Sequence, residues 1–356
     1  MKTLKTITSI FTVLLMSTMI SFGIGPALDI PILPLFGGLT ALSLIPMPSG
    51  VSFMALQKEI WITDVVGNLF KANPHLAYAM NADGFVLNGR VVHIPNAGNK
   101  PNVEKNRTKY PATITKRNDI DLYFVLDEFT SDPVKIDNAE KYELSYDLRN
   151  SLLGESKAAI AEMVGDWMLR NWAPTATACI KRTTGSTTVT AHYGTGVRKA
   201  ITLEDIKGIQ KLMNSWSIPQ EGRYAQLDAE MYDQFTSLLN VTAYRDFSAA
   251  YDISRGIVGK VYGFEFLDPR ATVLKYANDT TPTPSDPGSA DNTTDNGASL
   301  FWQKDLVVRA MGENEMFSNE NDPQHYGDIY SFLLRAGGRI KRNDSKGVVA
   351  LVQKAG

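Results

Sequence analysis

The chain has 356 residues, of which 44% are hydrophobic and 21% are charged, so it is long enough to bury two cores. Its formal net charge of -2 argues against a dedicated nucleic-acid-binding protein, because such proteins carry a strongly basic domain. The single cysteine, Cys179, excludes an internal disulfide framework and a cysteine-rich metal site. We therefore expect two subdomains that are stabilised by packing or by assembly.

The first residues are set apart by their hydrophobicity. Lys2 and Lys5 precede an uncharged apolar run over residues 7–24, a pattern typical of a signal peptide or a membrane helix. We interpret residues 1–53 as a hydrophobic leader or removable extension. In this interpretation residues 1–26 either contact a membrane or are cleaved off.

Two alternatives for this leader stay open. It is either an upstream extension of a protein whose ordered part begins near Met54, or a terminal segment that is buried in the fold. Apolar residues recur at helical spacing after Met54, and we predict that residues 54–84 form an N-terminal arm.

The next segment alternates in the manner of β-strands. Hydrophobic and polar side chains alternate on both sides of a polar stretch at residues 96–111, which predicts two strands running out and back over residues 85–126. The polar stretch has few apolar residues, so we expect this extended hairpin loop to project from the body or to lie on another molecule. A lone hairpin is unstable and needs a partner.

Charges along and after the hairpin are sorted by sign. Basic residues dominate residues 90–117, whereas acidic residues dominate residues 119–147. A basic arm beside an acidic base suits head-to-tail contact between identical subunits, although a solvated surface without consequence is the alternative. The predicted subunit interface consists of Arg90, Lys100, Lys105, Arg107, Lys109, Asp119, Asp121, Asp127, Glu128 and Asp132.

A long amphipathic helix, which we call the spine helix, is predicted over residues 142–172. Ser145 and Asp147 give it a start, and Pro174 stops it. Its apolar face is predicted from helical spacing, with polar and charged residues elsewhere. The predicted face consists of Leu148, Leu152, Ala159, Ile160, Met163 and Trp167.

Two further helices and a short strand follow the spine helix. Thr202 and Asp205 form a capping signal that opens a helix through Met213. A strand beginning at Gly222 then precedes a helix capped by Asp228.

The last third is predicted to be mainly strands. Residues 256–267 are expected to form two short strands, and residues 278–298 are low in apolar residues and are expected to be a flexible surface insertion. The chain then ends in two strands that a polar turn at residues 343–346 joins.

We predict that the protein is not an enzyme. The sequence has no nucleophile elbow, zinc-protease motif, Walker loop or paired-cysteine motif. Cys179 and His192 could form a nucleophile and base, but a buried thiol and a surface histidine explain them more simply. The four histidines lack ligand spacing, and a partial calcium loop at residues 292–297 has Gln303 where a glutamate is needed. No catalytic residue, cofactor or metal is predicted.

The order of these parts resembles the major capsid protein family of tailed bacteriophages, which has the Hong Kong 97 fold. The resemblance covers residues 54–354, including the segment IPQEGRY at residues 218–224 and a closing hairpin made of the GGRIKR and GVVALV segments. It implies an α+β fold with the N-terminal arm, the extended β-hairpin loop, a peripheral domain built on the spine helix and an axial domain. The implied peripheral domain is residues 127–182 and 313–356, and the implied axial domain is residues 183–312.

The resemblance also implies a function. Such a protein is a structural subunit that self-assembles into the hexamers and pentamers of an icosahedral shell around double-stranded DNA, which it contacts non-specifically. The implied partners are other copies of the chain and the portal, scaffold and protease of the particle. The implied location is the virion capsid, assembled in the bacterial host cytoplasm and, through the leader, associated with a membrane. The alternatives are a secreted or membrane-anchored surface binding protein and an encapsulin-like cargo compartment.

Overall fold

The structure is a computed structural model, and it describes residues 67–87, 90–96, 103–108, 110–111, 120–137, 148–278 and 280–356. The predicted leader and the first part of the predicted N-terminal arm lie outside these residues. Residues 67–72 are helical and lead into a 3-10 turn at Pro74–Tyr78. No helix in the described ranges has both the length and the apolar character that a membrane span requires.

Besides the helical residues 67–72, four α-helices and eighteen strands lie in the described residues. The helices are α1 (Leu148–Asn171), α2 (Leu203–Ser215), α3 (Ala229–Leu238) and α4 (Val241–Ser248). The strands are β1 (Met80–Asn81), β2 (Val86–Leu87), β3 (Val91–Asn96), β4 (Ile120–Val125), β5 (Asp127–Thr130), β6 (Val134–Asp137), β7 (Ile180–Arg182), β8 (Thr188–Thr190), β9 (Val197–Lys199), β10 (Arg223–Gln226), β11 (Ile257–Val261), β12 (Phe264–Leu267), β13 (Leu274–Ala277), β14 (Thr283–Pro284), β15 (Asn296–Gln303), β16 (Val307–Asp322), β17 (Gly327–Ile340) and β18 (Val348–Val352).

The spine helix is α1, whose 24 residues span about 36 Å. Its predicted start lies outside the described residues, and it ends at Asn171, shortly before Pro174. The predicted core face needs partial correction, because Ile160 is buried as predicted but Ala159 is exposed and Met163 is 50% exposed. A second apolar stripe on the same helix faces the core instead. The buried stripe consists of Ala161, Val164, Met168, Leu169 and Trp172.

A five-stranded sheet supports α1. Its order is β1-β16-β17-β5, with β6 also paired to β17, and the long β16–β17 hairpin forms its centre. Buried side chains at Tyr330, Phe332 and Leu334 alternate with more exposed ones along β17, as expected for a strand with one face on the core. The indole N–H of Trp172 donates a 3.0 Å hydrogen bond to the carbonyl oxygen of Val308, which fixes α1 on this sheet.

An eight-stranded sheet forms the second core. Its main order is β11-β12-β10-β15-β13-β14, and β18 pairs with both β15 and β7. Every residue of β15 and β18 is buried, which is typical of strands covered on both faces. Helices α2, α3 and α4 contribute Ile206, Phe235 and Phe247 to the core of this sheet. The predicted cap of α2 is confirmed, because Thr202 and Asp205 form a reciprocal capping box.

Two details of the predicted C-terminal part need correction. The last two strands do not form a hairpin, because β17 pairs with β16 in the five-stranded sheet while β18 pairs with β15 in the eight-stranded sheet. The surface loop that was predicted to reach residue 298 ends earlier, since the buried strand β15 begins at Asn296. The eight-stranded sheet thus combines β7 and β18 with strands from the range predicted as axial.

Residues near the N-terminus of the described chain join α1 to the second core. The side-chain amide of Asn73 donates a 2.7 Å hydrogen bond to the Ala161 carbonyl oxygen on α1. Arg270, which follows β12, donates one 2.6 Å hydrogen bond to Asn73 Oδ1 and another of 2.6 Å to Asp166 Oδ1 on α1. The Asn73 side chain occupies the space where a side chain at Gly165 would lie. We call Asn73, Gly165, Asp166 and Arg270 the polar junction.

Candidate subunit interface

The base of the predicted hairpin arm is the three-stranded sheet β2-β3-β4. Val92, Ile94 and Leu122 are buried on one face, against Val308 and Ala310 of β16. The other face exposes apolar side chains to solvent. The exposed residues of these strands include Leu87, Tyr123 and Val125. Apolar surface is unfavourable when it is exposed to water, so this side of the arm is a candidate contact surface.

The outer part of the arm combines exposed apolar and basic side chains. Val103 is 89% exposed and Tyr110 is 78% exposed. Between them, Lys105 is exposed and Arg107 lies 3.4 Å from Glu104, as measured from Nε to Oε2. Exposed ion pairs of this kind contribute little to stability, so Arg107 can exchange Glu104 for another acidic partner.

The structure locates only part of the predicted interface. Arg90 is exposed in the turn between β2 and β3, at the base of the arm. Of Asp121, the structure describes only the backbone, which pairs with Pro95 in the β3–β4 ladder. The predicted interface residues that lie outside the described residues are Lys100, Lys109 and Asp119.

Three acidic residues of the predicted interface lie on and after β5. Asp127, Glu128 and Asp132 are exposed. Glu128 is already paired within the chain, because Arg335 of β17 lies 3.2 Å from it and also 3.1 Å from Glu313. Asp127 and Asp132 are therefore the acidic side chains that we expect to contact a partner.

A groove of about 610 Å³ runs between α1 and the β5–β6 segment. Its walls combine apolar side chains from both elements with a rim of acidic residues from β5 and the loop after it. The apolar wall residues are Phe129, Val134, Ala159, Ile160, Met163 and Trp167. The acidic rim residues are Asp127, Glu128 and Asp132. Four of the six residues of α1 that the sequence assigned to the core thus line this groove, namely Ala159, Ile160, Met163 and Trp167.

The groove residues on α1 show what the sequence signal missed. Ala159, Met163 and Trp167 were predicted from helical spacing, but the same spacing does not distinguish a core face from a groove face. No sequence pattern marked Phe129 and Val134 as interface residues. Two apolar stripes on one helix can indicate an interface, because a helix that packs against a single sheet needs only one apolar stripe.

The strongly shifted ionisable groups lie away from this groove. Burial lowers the pKa of His75 to about 3, with the charge of Arg270 adding to the effect. Burial raises the pKa of Asp228 to about 6, and the nearby His192 partly opposes this. Asp228 caps α3, since its Oδ1 accepts a 3.2 Å hydrogen bond from the Glu230 amide. The acid therefore has a clear structural role at a helix terminus.

Cys179 and His192, the possible nucleophile and base, do not share neighbours in the structure. Burial raises the pKa of the Cys179 thiol, whose sulfur lies 3.9 Å from the Asp344 carbonyl oxygen. The His192 ring instead lies 3.8 Å from Glu230 and edge-on to Tyr193. Among the described residues, no group of three or more His, Cys, Asp or Glu side chains is placed to hold a metal ion.

No protein-family model and no curated protein sequence matches the chain. Solved structures do match it. The capsid structure of the cyanophage P-SCSP1u is 17% identical, covers 77% of this chain and 86% of its own, and gives a TM-score of 0.53. The capsid of Ralstonia phage GP4 is 12% identical, covers 78% of this chain and 87% of its own, and gives a TM-score of 0.56. The capsid of a native GTA particle is 9% identical, covers 79% of this chain and 89% of its own, and gives a TM-score of 0.53.

Identities this low establish the fold rather than the function. The matches nevertheless extend over most of both chains, so they concern the whole architecture and not one motif. The chain therefore has the α+β fold of these phage capsid proteins, which confirms the Hong Kong 97-type fold that the order of its sequence motifs predicted.

Proposed function

We propose that this chain is the structural major capsid protein of a tailed bacteriophage or prophage. In this proposal it self-assembles into the hexamers and pentamers of an icosahedral shell that encloses double-stranded DNA. The observation that carries the proposal is the chain-wide fold shared with capsid proteins of two phages and of a GTA particle, at TM-scores of 0.53 to 0.56.

The groove and the arm supply the contact that such a shell needs. A neighbouring copy's arm brings the exposed apolar side chains Val103 and Tyr110, and the groove offers the half-exposed Met163 together with Trp167. Burial of these side chains between two copies removes apolar surface that each copy alone leaves in water. A lone hairpin is only marginally stable, so contact with the groove would also stabilise the arm.

Charge gives this contact its orientation. Lys105 and Arg107 of the arm would lie over Asp127 and Asp132 at the groove rim of the next copy. Opposite charges at the rim of an interface favour the correct encounter more than they add affinity. Because the two patches differ, each copy can use both at once, and such a head-to-tail contact forms a ring of identical subunits when its rotation closes.

The remaining parts of the proposal concern partners and location. The shell would form in the bacterial host cytoplasm and become the virion capsid, with portal, scaffold and protease as further partners. Membrane association would depend on residues 1–26. With a formal net charge of -2, the chain would hold DNA by confinement and not through a basic surface. No catalysis is assigned to it.

Negative-stain electron microscopy of the purified full chain tests the proposal. We expect closed shells or capsomer rings for the native chain. Asp132→Lys and Lys105→Glu should each weaken assembly, most strongly at low salt, where charges are least screened. The double variant should assemble better than either single variant. Glu221→Lys, an exposed acid in the loop before β10, is the matched control and should assemble normally.

Two results would count against this proposal. A native chain that stays monomeric under all salt conditions would refute the assembly function. Normal assembly of both single charge variants would refute the assignment of the arm to the groove, while leaving the shell function intact.

A further inference from the structure

Residues 285–291 lie in the predicted surface insertion, between β14 and β15, and we call them the strap. Within the described range 280–356, every residue from 283 to 294 is exposed or half-buried. The strap therefore places no side chain in the core of either large sheet. A loop of this kind is held in place by its polar contacts alone.

Two ion pairs attach the strap to the rest of the fold. Arg170, in the last turn of α1, donates a 2.9 Å hydrogen bond from Nε to Asp286 Oδ1. Lys275 of β13 donates a 2.9 Å hydrogen bond from Nζ to Asp291 Oδ1, and another to the Ser289 carbonyl oxygen. The two carboxylate side chains are 58% and 56% exposed. Water and salt ions therefore reach both ion pairs and weaken them.

The two ends of the strap are anchored by the backbone. At its start, the Ser285 amide donates a 2.8 Å hydrogen bond to the Lys275 carbonyl oxygen. Just beyond its end, the Asn292 amide donates a 2.8 Å hydrogen bond to Oδ2 of the buried Asp295, whose own amide donates back to the Asn292 carbonyl oxygen at 3.1 Å. A loop with anchored ends and exposed contacts in its middle can open while the rest of the chain stays folded.

A cavity of about 230 Å³ lies between the strap, α1 and β13. Six of the seven strap residues line it, and so does Val273, which is only 3% exposed. Two contacts outside the strap hold α1 on the eight-stranded sheet at this point. One is the 2.8 Å hydrogen bond from the Tyr276 hydroxyl to the Pro174 carbonyl oxygen, and the other is the Arg270–Asp166 pair of the polar junction. Opening of the strap would thus expose the cavity without detaching α1.

We propose that the strap is an electrostatic lid, which opens over this cavity when its two ion pairs are weakened, while both large sheets stay folded. Its closed position depends on charge because no buried apolar side chain holds it. This inference goes beyond the proposed shell function and does not depend on it, since the strap, the cavity and both ion pairs lie within one copy of the chain.

Thiol labelling of the full chain measures the opening. The test thiol is Val273→Cys in a chain that also carries Cys179→Ser, because Val273 is buried and lines the cavity. Native Cys179 is the control, in a chain that keeps Val273, because it is buried and is not among the residues that line the cavity. We expect the test thiol to react about two- to fivefold faster in about 1 M NaCl than in about 0.05 M NaCl. The reaction of Cys179 should not accelerate.

Substitutions identify the ion pair that is responsible. Arg170→Met and Asp286→Ala should each speed the labelling of Val273→Cys by about two- to fivefold at low salt, because each removes the same ion pair. A chain that carries both substitutions should react no faster than either single variant, since the second change has nothing further to break. Arg245→Met is the matched control, because Arg245 is exposed and paired with Asp246 on α4, and it should leave the rate unchanged.

The inference fails if labelling of Val273→Cys is the same at both salt concentrations. It also fails if Arg170→Met speeds the labelling of native Cys179 equally, because the ion pair would then stabilise the whole fold and not the strap. If the Val273→Cys chain does not fold, amide hydrogen exchange of residues 285–291 in chains with native Val273 replaces the labelling. We expect faster exchange there in Arg170→Met, and unchanged exchange would overturn the inference.

Discussion

Replacing Asp228 by asparagine should stabilise the protein at neutral pH. This acid is 1% exposed, and burial raises the pKa from its ordinary 3.8 to about 6. A group whose pKa is raised on folding favours the folded state while it is protonated, and this advantage is lost as pH rises through the folded pKa. The free energy of unfolding therefore falls as pH rises from about 3.8 to about 6, and it stays at the lower value above that. Asparagine removes the charge and keeps the oxygen that caps α3.

The size of the effect follows from the two pKa values. At about 1.4 kcal/mol per pKa unit, the raised pKa lowers the free energy of unfolding by about 3 kcal/mol at pH 7.5 and by about half as much at pH 5. The measured gain in Asp228→Asn should be smaller, at about 1 to 2 kcal/mol at pH 7.5, because the buried amide keeps a desolvation penalty of its own. The gain should fall by about half at pH 5.

Urea unfolding of the unassembled chain at both pH values measures this difference. Asp252→Asn is the control, because Asp252 also caps a short helical turn, but hydrogen bonds led by the one from Ser254 lower its pKa. That variant should lose stability at pH 7.5. A gain in Asp228→Asn that is equal at pH 7.5 and pH 5, or a loss at both, would refute the electrostatic reasoning.

Two further predictions concern the packing of the fold. Gly165→Ala should lower the free energy of unfolding by about 1 to 3 kcal/mol, because the new methyl group collides with the Asn73 side chain. Gly154→Ala, on the open face of α1, should raise it by up to about 1 kcal/mol in the same urea assay. Arg198→Met should speed amide hydrogen exchange in the β8–β9 hairpin, because the native guanidinium donates hydrogen bonds to four backbone carbonyl oxygens, while the exposed Arg245→Met should leave exchange there unchanged. Equal urea midpoints for the two glycine variants, or unchanged exchange in Arg198→Met, would contradict them.

Local sequence signals predicted the elements that local physics controls. The capping residues Thr202 and Asp228 mark the starts of α2 and α3, because a cap acts within one helical turn. The two strands around Gly263 are also found, since a glycine with positive φ is needed at the turn between β11 and β12. These features depend on neighbouring residues and not on the packing of distant parts of the chain.

Long-range pairing is what the sequence left open. The alternation of β17 and the apolar run of β18 predict strands, but neither pattern says that the two strands join different sheets. The polar junction is a stronger case, because Arg270 and Asn73 lie 197 residues apart in the chain. No periodicity connects such residues, and only the packing of α1 between them brings them together.

Helices α1 and α4 show that folding of the single chain leaves apolar surface uncovered. Each helix has one apolar side that its own sheet buries and a second apolar side that faces a groove or solvent. Burial of the first side stabilises the monomer, while burial of the second can contribute only when another copy arrives. Substitutions on the inner sides, such as Val164 or Phe247, should therefore destabilise the folded chain, whereas a polar substitution at Met163 in the groove should leave it folded and impair assembly. This division separates the residues that stabilise the fold from those that the proposed shell function assigns to assembly.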